Sequence, residues 1–280
     1  MFQQTFRLTS TPTTRRTLSA VALGAAFALG GCAATASKPQ IAKTDTPKTA
    51  LWVGNSFFYY NNSMHGHVSR MLSAAKPGEK GFRSTSATIS GSGMNWHDVG
   101  AHFRPNAVGS YSFDSKNNVV FNTFDKPFDV AIMMDCSQCP IHPQLAPLFH
   151  EYAAKHSATV RKYGAEPVFF MSWAYADKPE MTQQLADAYV KAATVNKAKV
   201  VPAGLAFANS IAKRPDINLY VDDKRHPSLE GTYLAAATVL ASVYGVSPVG
   251  NSYTAGLRPE VAAHLQLAAG DTVKGFKQPQ

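Results

Sequence analysis

The sequence predicts one three-layer α/β/α domain over residues 49–275, with a mainly parallel five-stranded sheet. Three features predict it. From residue 50 onward, short apolar runs alternate with stretches of helical spacing, the order expected of successive βα units. The run Phe128 to Met134 is nearly all apolar, as a strand covered on both faces should be. Hydrophobic residues make up 45% of the 280-residue chain and charged residues 16%, which suits a sizeable core and excludes a coiled coil or a disordered chain.

Ala50-Leu51-Trp52-Val53 opens the first strand, at about 50–54. Apolar spacing gives a helix at about 63–75, and a second strand follows at about 83–89. Residues 104–127 carry many Asn, Gly, Ser and Phe and read as an irregular excursion, with a hairpin around Val119-Val120-Phe121. The third strand is 128–134. A helix over 145–162 leads to a fourth strand at 167–173, and a helix over about 180–195 leads to a short strand at Val200-Val201. Pro202-Ala203-Gly204 opens a helix at 203–212. The last strong helix, 228–244, starts at Pro227-Ser228 and is rich in Ala, Leu and Val. Ligands of such sheets gather at the carboxyl ends of the strands, so the loops there are searched first.

Several classes are excluded. Three cysteines rule out a disulfide-dense scaffold and a multi-finger zinc protein. No internal repeat is visible, which sets aside solenoids and propellers. No Lys/Arg cluster interleaved with aromatics stands out, so a nucleic-acid partner is not expected.

The N-terminus reads as an export signal, residues 1–31. Arg7, Arg15 and Arg16 precede an apolar stretch from Leu18 to Leu29 that is too short to span a bilayer. It ends in Leu29-Gly30-Gly31-Cys32, which resembles a bacterial lipobox with Cys32 as the lipidated residue. Ordinary cleavage near Ala-Thr-Ala is the other reading. Arg15-Arg16 fits a twin-arginine signal as well as two plain positive charges. Loss of the three arginines lowers the formal net charge from +9 to +6. Residues 32–48 look like a flexible tether. The expected location is the bacterial cell envelope, periplasm-facing or outer-membrane, with the membrane reached through the lipid anchor.

Two motifs carry chemistry, one at a strand end and one ahead of the last strong helix. Gly54-Asn55-Ser56 follows the first strand, where a tight turn at a helix entrance can expose a serine hydroxyl. In isolation it is equally a helix cap. Asp223-Lys224-Arg225-His226 lies just ahead of the helix at 228–244. A serine needs a base to remove its proton, and a histidine serves best when a carboxylate fixes its tautomer. Asp-x-x-His can supply both from one loop.

Together the motifs resemble the SGNH/GDSL hydrolase superfamily, over roughly residues 50–245. Its nucleophile lies in a Gly-Asp-Ser or Gly-Asn-Ser block after the first strand, and its acid and histidine in a terminal Asp-x-x-His block. The match is narrower with a bacterial branch whose members have Gly-Asn-Ser-Phe and a His-Pro-Ser, Gly-x-Tyr-Leu-Ala ending. Here these are Gly54 to Phe57, then His226-Pro227-Ser228 and Gly231-Thr232-Tyr233-Leu234-Ala235. The resemblance implies a flavodoxin-like sheet and a serine esterase with Ser56 as nucleophile, His226 as base and Asp223 as its acid. No metal or organic cofactor is implied. The implied substrate is an ester, an acylated carbohydrate (O-acetyl groups foremost) or a lipid. A non-catalytic envelope binding protein on the same fold is the alternative.

The resemblance also implies an oxyanion site from the N–H groups of Ser56 and Gly91, the latter within Ser90-Gly91-Ser92 after the second strand. His97, six residues after Gly91, matches a further feature of the branch; its other reading is a surface histidine on a short helix. The third superfamily block normally supplies an asparagine. This chain has Met134-Asp135-Cys136-Ser137-Gln138-Cys139 instead, so Ser137 or Gln138 is the expected substitute donor. Cys136 and Cys139 read as a disulfide, as two free thiols or as a redox pair. A metal site with His142 lacks a fourth ligand. His65-Gly66-His67 resembles a metal motif only superficially, since i and i+2 do not share a helix face. His102, His142, His150, His156 and His264 read as surface residues, Trp52 as core, and Trp96 and Tyr175 as packing or pocket-lining residues.

Overall fold

The computed structural model describes residues 46–105, 111–122 and 124–279. The export signal, Cys32 and most of the tether lie outside the described residues. In chain order the elements are β1 (Thr49–Gly54), α1 (Ser56–Tyr59), α2 (Met64–Ala75), β2 (Arg83–Thr88), β3 (Tyr111–Phe113), β4 (Val119–Phe121), β5 (Val130–Met133), α3 (Ala146–Lys162), β6 (Glu166–Phe170), α4 (Met181–Asn196), β7 (Lys199–Val201), α5 (Ala203–Lys213), α6 (Leu229–Tyr244) and α7 (Pro259–Gly275).

The five-stranded sheet has the order β2-β1-β5-β6-β7, and every pairing in it is parallel. Counted among sheet strands alone, this is the 2-1-3-4-5 doubly wound order. β3 and β4 form the expected hairpin, antiparallel and separate from the main sheet.

Strand alternation divides the core. Ala50, Trp52, Ile132, Val168 and Phe170 pack against α2, α5, α6 and α7. Leu51, Val53, Ala131, Met133 and Phe169 point the other way, against α3 and α4. Both sets are fully buried, which is why β1, β5 and β6 read as continuous apolar runs. Each such Leu, Ile, Val or Phe contributes roughly 1.5–3 kcal/mol by leaving water.

The edge strands are managed differently. β2 is half-exposed and polar, with sequence RSTSAT. At β7, the Gln278 side chain accepts from Val200 N at 2.9 Å and donates to Val200 O at 2.8 Å. The helix α7 goes beyond the sequence expectation, which named none after residue 244. Its buried face is Val261, Ala262, Leu265, Gln266, Ala268 and Ala269, while Leu267 is exposed. A face half made of alanine leaves a weak apolar period. Among the described residues, no helix is long and apolar enough to cross a membrane.

Candidate active site

β1 delivers Ser56 through a turn that demands its sequence. A Cβ on Gly54 would lie 2.8 Å from the Phe58 ring, so glycine alone lets the chain fold back over that ring. Asn55, extended at φ −140°, caps α1 by accepting from Phe57 N at 3.2 Å. Its amide nitrogen donates to Ser92 O at 2.9 Å and Asp135 O at 3.2 Å. One buried side chain thus joins the loops after β1, β2 and β5. Ser56 follows as the first residue of α1, 7% exposed.

The loop before α6 brings the histidine across. Tyr220 and Pro227 form an antiparallel bridge, and Val221 N donates to His226 O at 3.0 Å. Trp173 Nε1 donates to Arg225 O at 2.9 Å, and Ala176 N to Lys224 O at 2.9 Å, tying the loop to the end of β6. Ser228 caps α6 by accepting from Gly231 N at 3.1 Å.

These elements set His226 Nε2 2.8 Å from Ser56 Oγ. Nδ1 of the same ring is hydrogen-bonded to Asp223 Oδ2. Asp223 Oδ1 accepts from Arg225 N at 2.8 Å and His226 N at 2.9 Å. Partial burial pushes the Asp223 carboxyl up, but the bonds from the His226 ring and the two backbone N–H groups outweigh it and hold it at about 2. A carboxylate ionised at neutral pH thus fixes Nδ1 as the protonated nitrogen and leaves Nε2 free to accept from the serine. Asp222 is exposed beside it.

Gly91 sits at φ +70° in an exposed turn after β2, a left-handed conformation that favours glycine. Ser92 Oγ donates to Gly54 O at 3.0 Å, so His97 Nε2 is the donor in its 2.9 Å bond to Ser92 Oγ. Burial, with His156 and His102 nearby, pushes His97 down to about 4, so it is neutral. The surface reading of His97 is therefore corrected, as is that of His156, which is buried with Nε2 bonded to Met94 O at 2.9 Å. Both fill polar gaps behind the Gly91 turn.

After β5, Cys136 and Cys139 are joined as a disulfide. Ser137 Oγ shares a 2.7 Å hydrogen bond with Tyr175 OH, and Gln138 is exposed. Asp135, 3% exposed, accepts from Cys136 N at 2.7 Å and Met94 N at 3.3 Å. Burial pushes its carboxyl up to about 6 against those two bonds. The closely spaced set Asp135, Cys136 and Cys139 does not fit a cation, because both sulfurs are bonded to each other. Trp52 is core, Tyr175 is buried, and Trp96 is 59% exposed.

Sequence reasoning missed three neighbours of this chemistry. Tyr60 stacks on His226. Asn61 reaches Pro227. His67, buried on α2, braces Asn61. The cluster Asn61-Asn62-Ser63 was a signal, since Asn and Ser mark turns and Asn tolerates left-handed backbone.

No protein-family profile matches the chain, and no curated protein sequence does. Solved structures do match. A DUF4886 family protein from Bacteroides uniformis superposes with a TM-score of 0.55 at 17% identity, covering 81% of this chain and 95% of its own. A candidate SGNH hydrolase from Slackia heliotrinireducens gives 0.51 at 20% identity, over 69% of this chain and 97% of its own. The protein has the SGNH hydrolase fold. An acetyl xylan esterase also matches, with a TM-score of 0.50 at 14% identity over 70% of this chain and 99% of its own. On the SGNH fold, Ser56 comes from the turn after β1, and Asp223 and His226 from the loop between α5 and α6, which is tied to the segment after β6 through Arg225 O and Lys224 O.

Proposed function

We propose that the protein is a serine esterase anchored in the bacterial cell envelope. The observation that carries this reading is the unbroken hydrogen-bonded line from Ser56 Oγ through His226 to Asp223. Ser56 Oγ attacks the ester carbonyl while His226 Nε2 takes its proton. Asp223 stabilises the imidazolium that results. The N–H groups of Ser56 and Gly91 hold the oxyanion, with Ser137 or Gln138 as a third donor. His226 then returns the proton to the leaving alcohol, and water activated by the same nitrogen cleaves the acyl-enzyme.

O-acetyl groups on carbohydrate are the substrate class to test first, since an acetyl xylan esterase shares the fold. Lipid esters come next. Cys32 carries the lipid that holds the protein at the membrane, and Cys32→Ser should move it from the membrane fraction to the soluble one. A fluorophosphonate probe tests the central reading: adduct formation at Ser56 together with release of acetate from acetylated sugars supports it. An unlabelled, inactive protein that still retains glycan would instead support a binding protein, which the unusual sequence after β5 favours.

A further inference from the structure

We propose that Tyr60 and Asn61 are positioning residues for His226, acting on its imidazole and not on substrate; the proposal rests on the esterase reading. The Tyr60 ring lies face to face with the imidazole, centroids 4.4 Å apart and planes 11° from parallel. Phe57 meets the same imidazole edge-on, at 5.4 Å and 75°. His226 is thus packed between a face and an edge, with its two nitrogens left to reach Ser56 and Asp223 in the ring plane. Ser56, Phe57 and Tyr60 belong to one short stretch, and Tyr60 N donates to Ser56 O at 3.1 Å. The nucleophile and both packing rings therefore form one unit that the distant histidine docks onto.

Asn61 holds the backbone of the same loop. Its Nδ2 donates to Pro227 O at 3.0 Å and to Thr232 Oγ1 at 2.8 Å. Pro227 directly follows His226. Asn61 begins a run of three non-glycine residues in left-handed backbone, with φ +53° here, +64° at Asn62 and +67° at Ser63. Such a run persists only where its surroundings enforce it. His67 does so from α2: its Nε2–H donates to Asn61 O at 2.7 Å while Nδ1 accepts from Tyr253 OH at 2.9 Å. Burial keeps His67 below the usual histidine range, so it stays neutral in this role.

The stack has a kinetic consequence. His226 gains a positive charge as it takes the serine proton, and an aromatic face attracts a cation more than a neutral ring. Tyr60 therefore favours the transition state over the resting site, and its loss should appear in kcat and not in KM.

The experiment compares wild type with Tyr60→Leu, Tyr60→Phe and Asn61→Gly, using p-nitrophenyl acetate hydrolysis and the proton NMR signal of the His226 Cε1–H. Tyr60→Leu should lower kcat roughly five- to tenfold with little change in KM. Tyr60→Phe, which keeps the face, should recover most of that loss. The ring current of Tyr60 should shift the His226 signal upfield in wild type and Tyr60→Phe, and the shift should vanish in Tyr60→Leu. Asn61→Gly keeps left-handed backbone accessible and removes only the side-chain hold; it should lower kcat several-fold in a folded protein. An unchanged kcat in Tyr60→Leu, equal loss in Tyr60→Phe, or an unmoved His226 signal would overturn the role of Tyr60. Full activity in Asn61→Gly would remove Asn61. A wild type that neither hydrolyses esters nor reacts with fluorophosphonate would end the esterase reading alone, because the NMR signal still decides whether Tyr60 holds the imidazole.

Discussion

The Nδ2 of Asn55 donates to the main-chain carbonyl of Asp135 at 3.2 Å, across the β1–β5 junction. The same nitrogen reaches Ser92 O on the β2 side. Three loops that approach the nucleophile are thereby fixed by one amide. Asn55→Ala leaves these carbonyls and Phe57 N without their partner. Removing a buried partner of this kind costs about 1–3 kcal/mol, so thermal unfolding should drop by several degrees. Ester turnover should fall with it, because the loops lose their common tie. A melting temperature equal to wild type would show that water or a shifted backbone replaces the amide.

The catalytic line predicts a ranked series. Ser56→Ala and His226→Ala should each abolish measurable hydrolysis, since nucleophile and base act as a unit. Asp223→Asn should lose about 10⁴-fold in kcat by favouring the wrong imidazole tautomer. Asp222→Asn should matter little, its side chain being exposed beside the line. Steady-state rates on an activated acetate ester decide the order. A dispensable Asp223 with an essential Asp222 would shift the motif by one residue.

Asp135 predicts a pH dependence of stability. Its carboxyl is pushed up from 3.8 to about 6 in the folded chain. Between those values the folded state keeps a proton that the unfolded state has released, so rising pH favours unfolding. The contribution is fully present below the lower value and is lost through the upper one. Asp135→Asn keeps an oxygen for the N–H groups of Cys136 and Met94 and removes the ionisation. It should raise stability above about pH 6 by on the order of 1–3 kcal/mol and flatten the slope below it. Urea unfolding of both proteins across that range is the measurement, and parallel curves would contradict the assignment.

The disulfide spans only two intervening residues, so it gains little from loop closure. Its effect should lie in positioning. Cys136→Ser with Cys139→Ser should lower kcat several-fold while the protein stays folded. Ser137→Ala and Gln138→Ala then identify the donor: the residue that aids the oxyanion lowers kcat and kcat/KM together. If neither does, backbone N–H groups hold the oxyanion by themselves.

Much of this was legible because the signals were local. β1, β5 and β6 declared themselves through apolar side chains on both faces, and the candidate residues Ser56, Asp223 and His226 through short motifs, one after β1 and one just ahead of α6. The stack of Tyr60 on His226 joins residues 166 positions apart, and no local pattern announces it. His97 and His156 were unreadable for a related reason. A histidine is buried when a serine hydroxyl or a carbonyl waits for its N–H, and those partners, Ser92 Oγ and Met94 O, are chosen by the fold. α7 was missed because alanines pack against α6 without marking a strong apolar stripe.

Gln278 gives the sheet a boundary. Its amide engages both the N–H and the C=O of Val200, the pair that a neighbouring strand residue would use. A single side chain therefore occupies the place of a sixth strand at the point where β7 would otherwise be open to one. For a protein proposed to be tethered to a surface at high local density, this plug matters more than it would in dilute solution. It turns the end of a growing template into a closed seam, so that crowded copies meet side chains there instead of unpaired backbone.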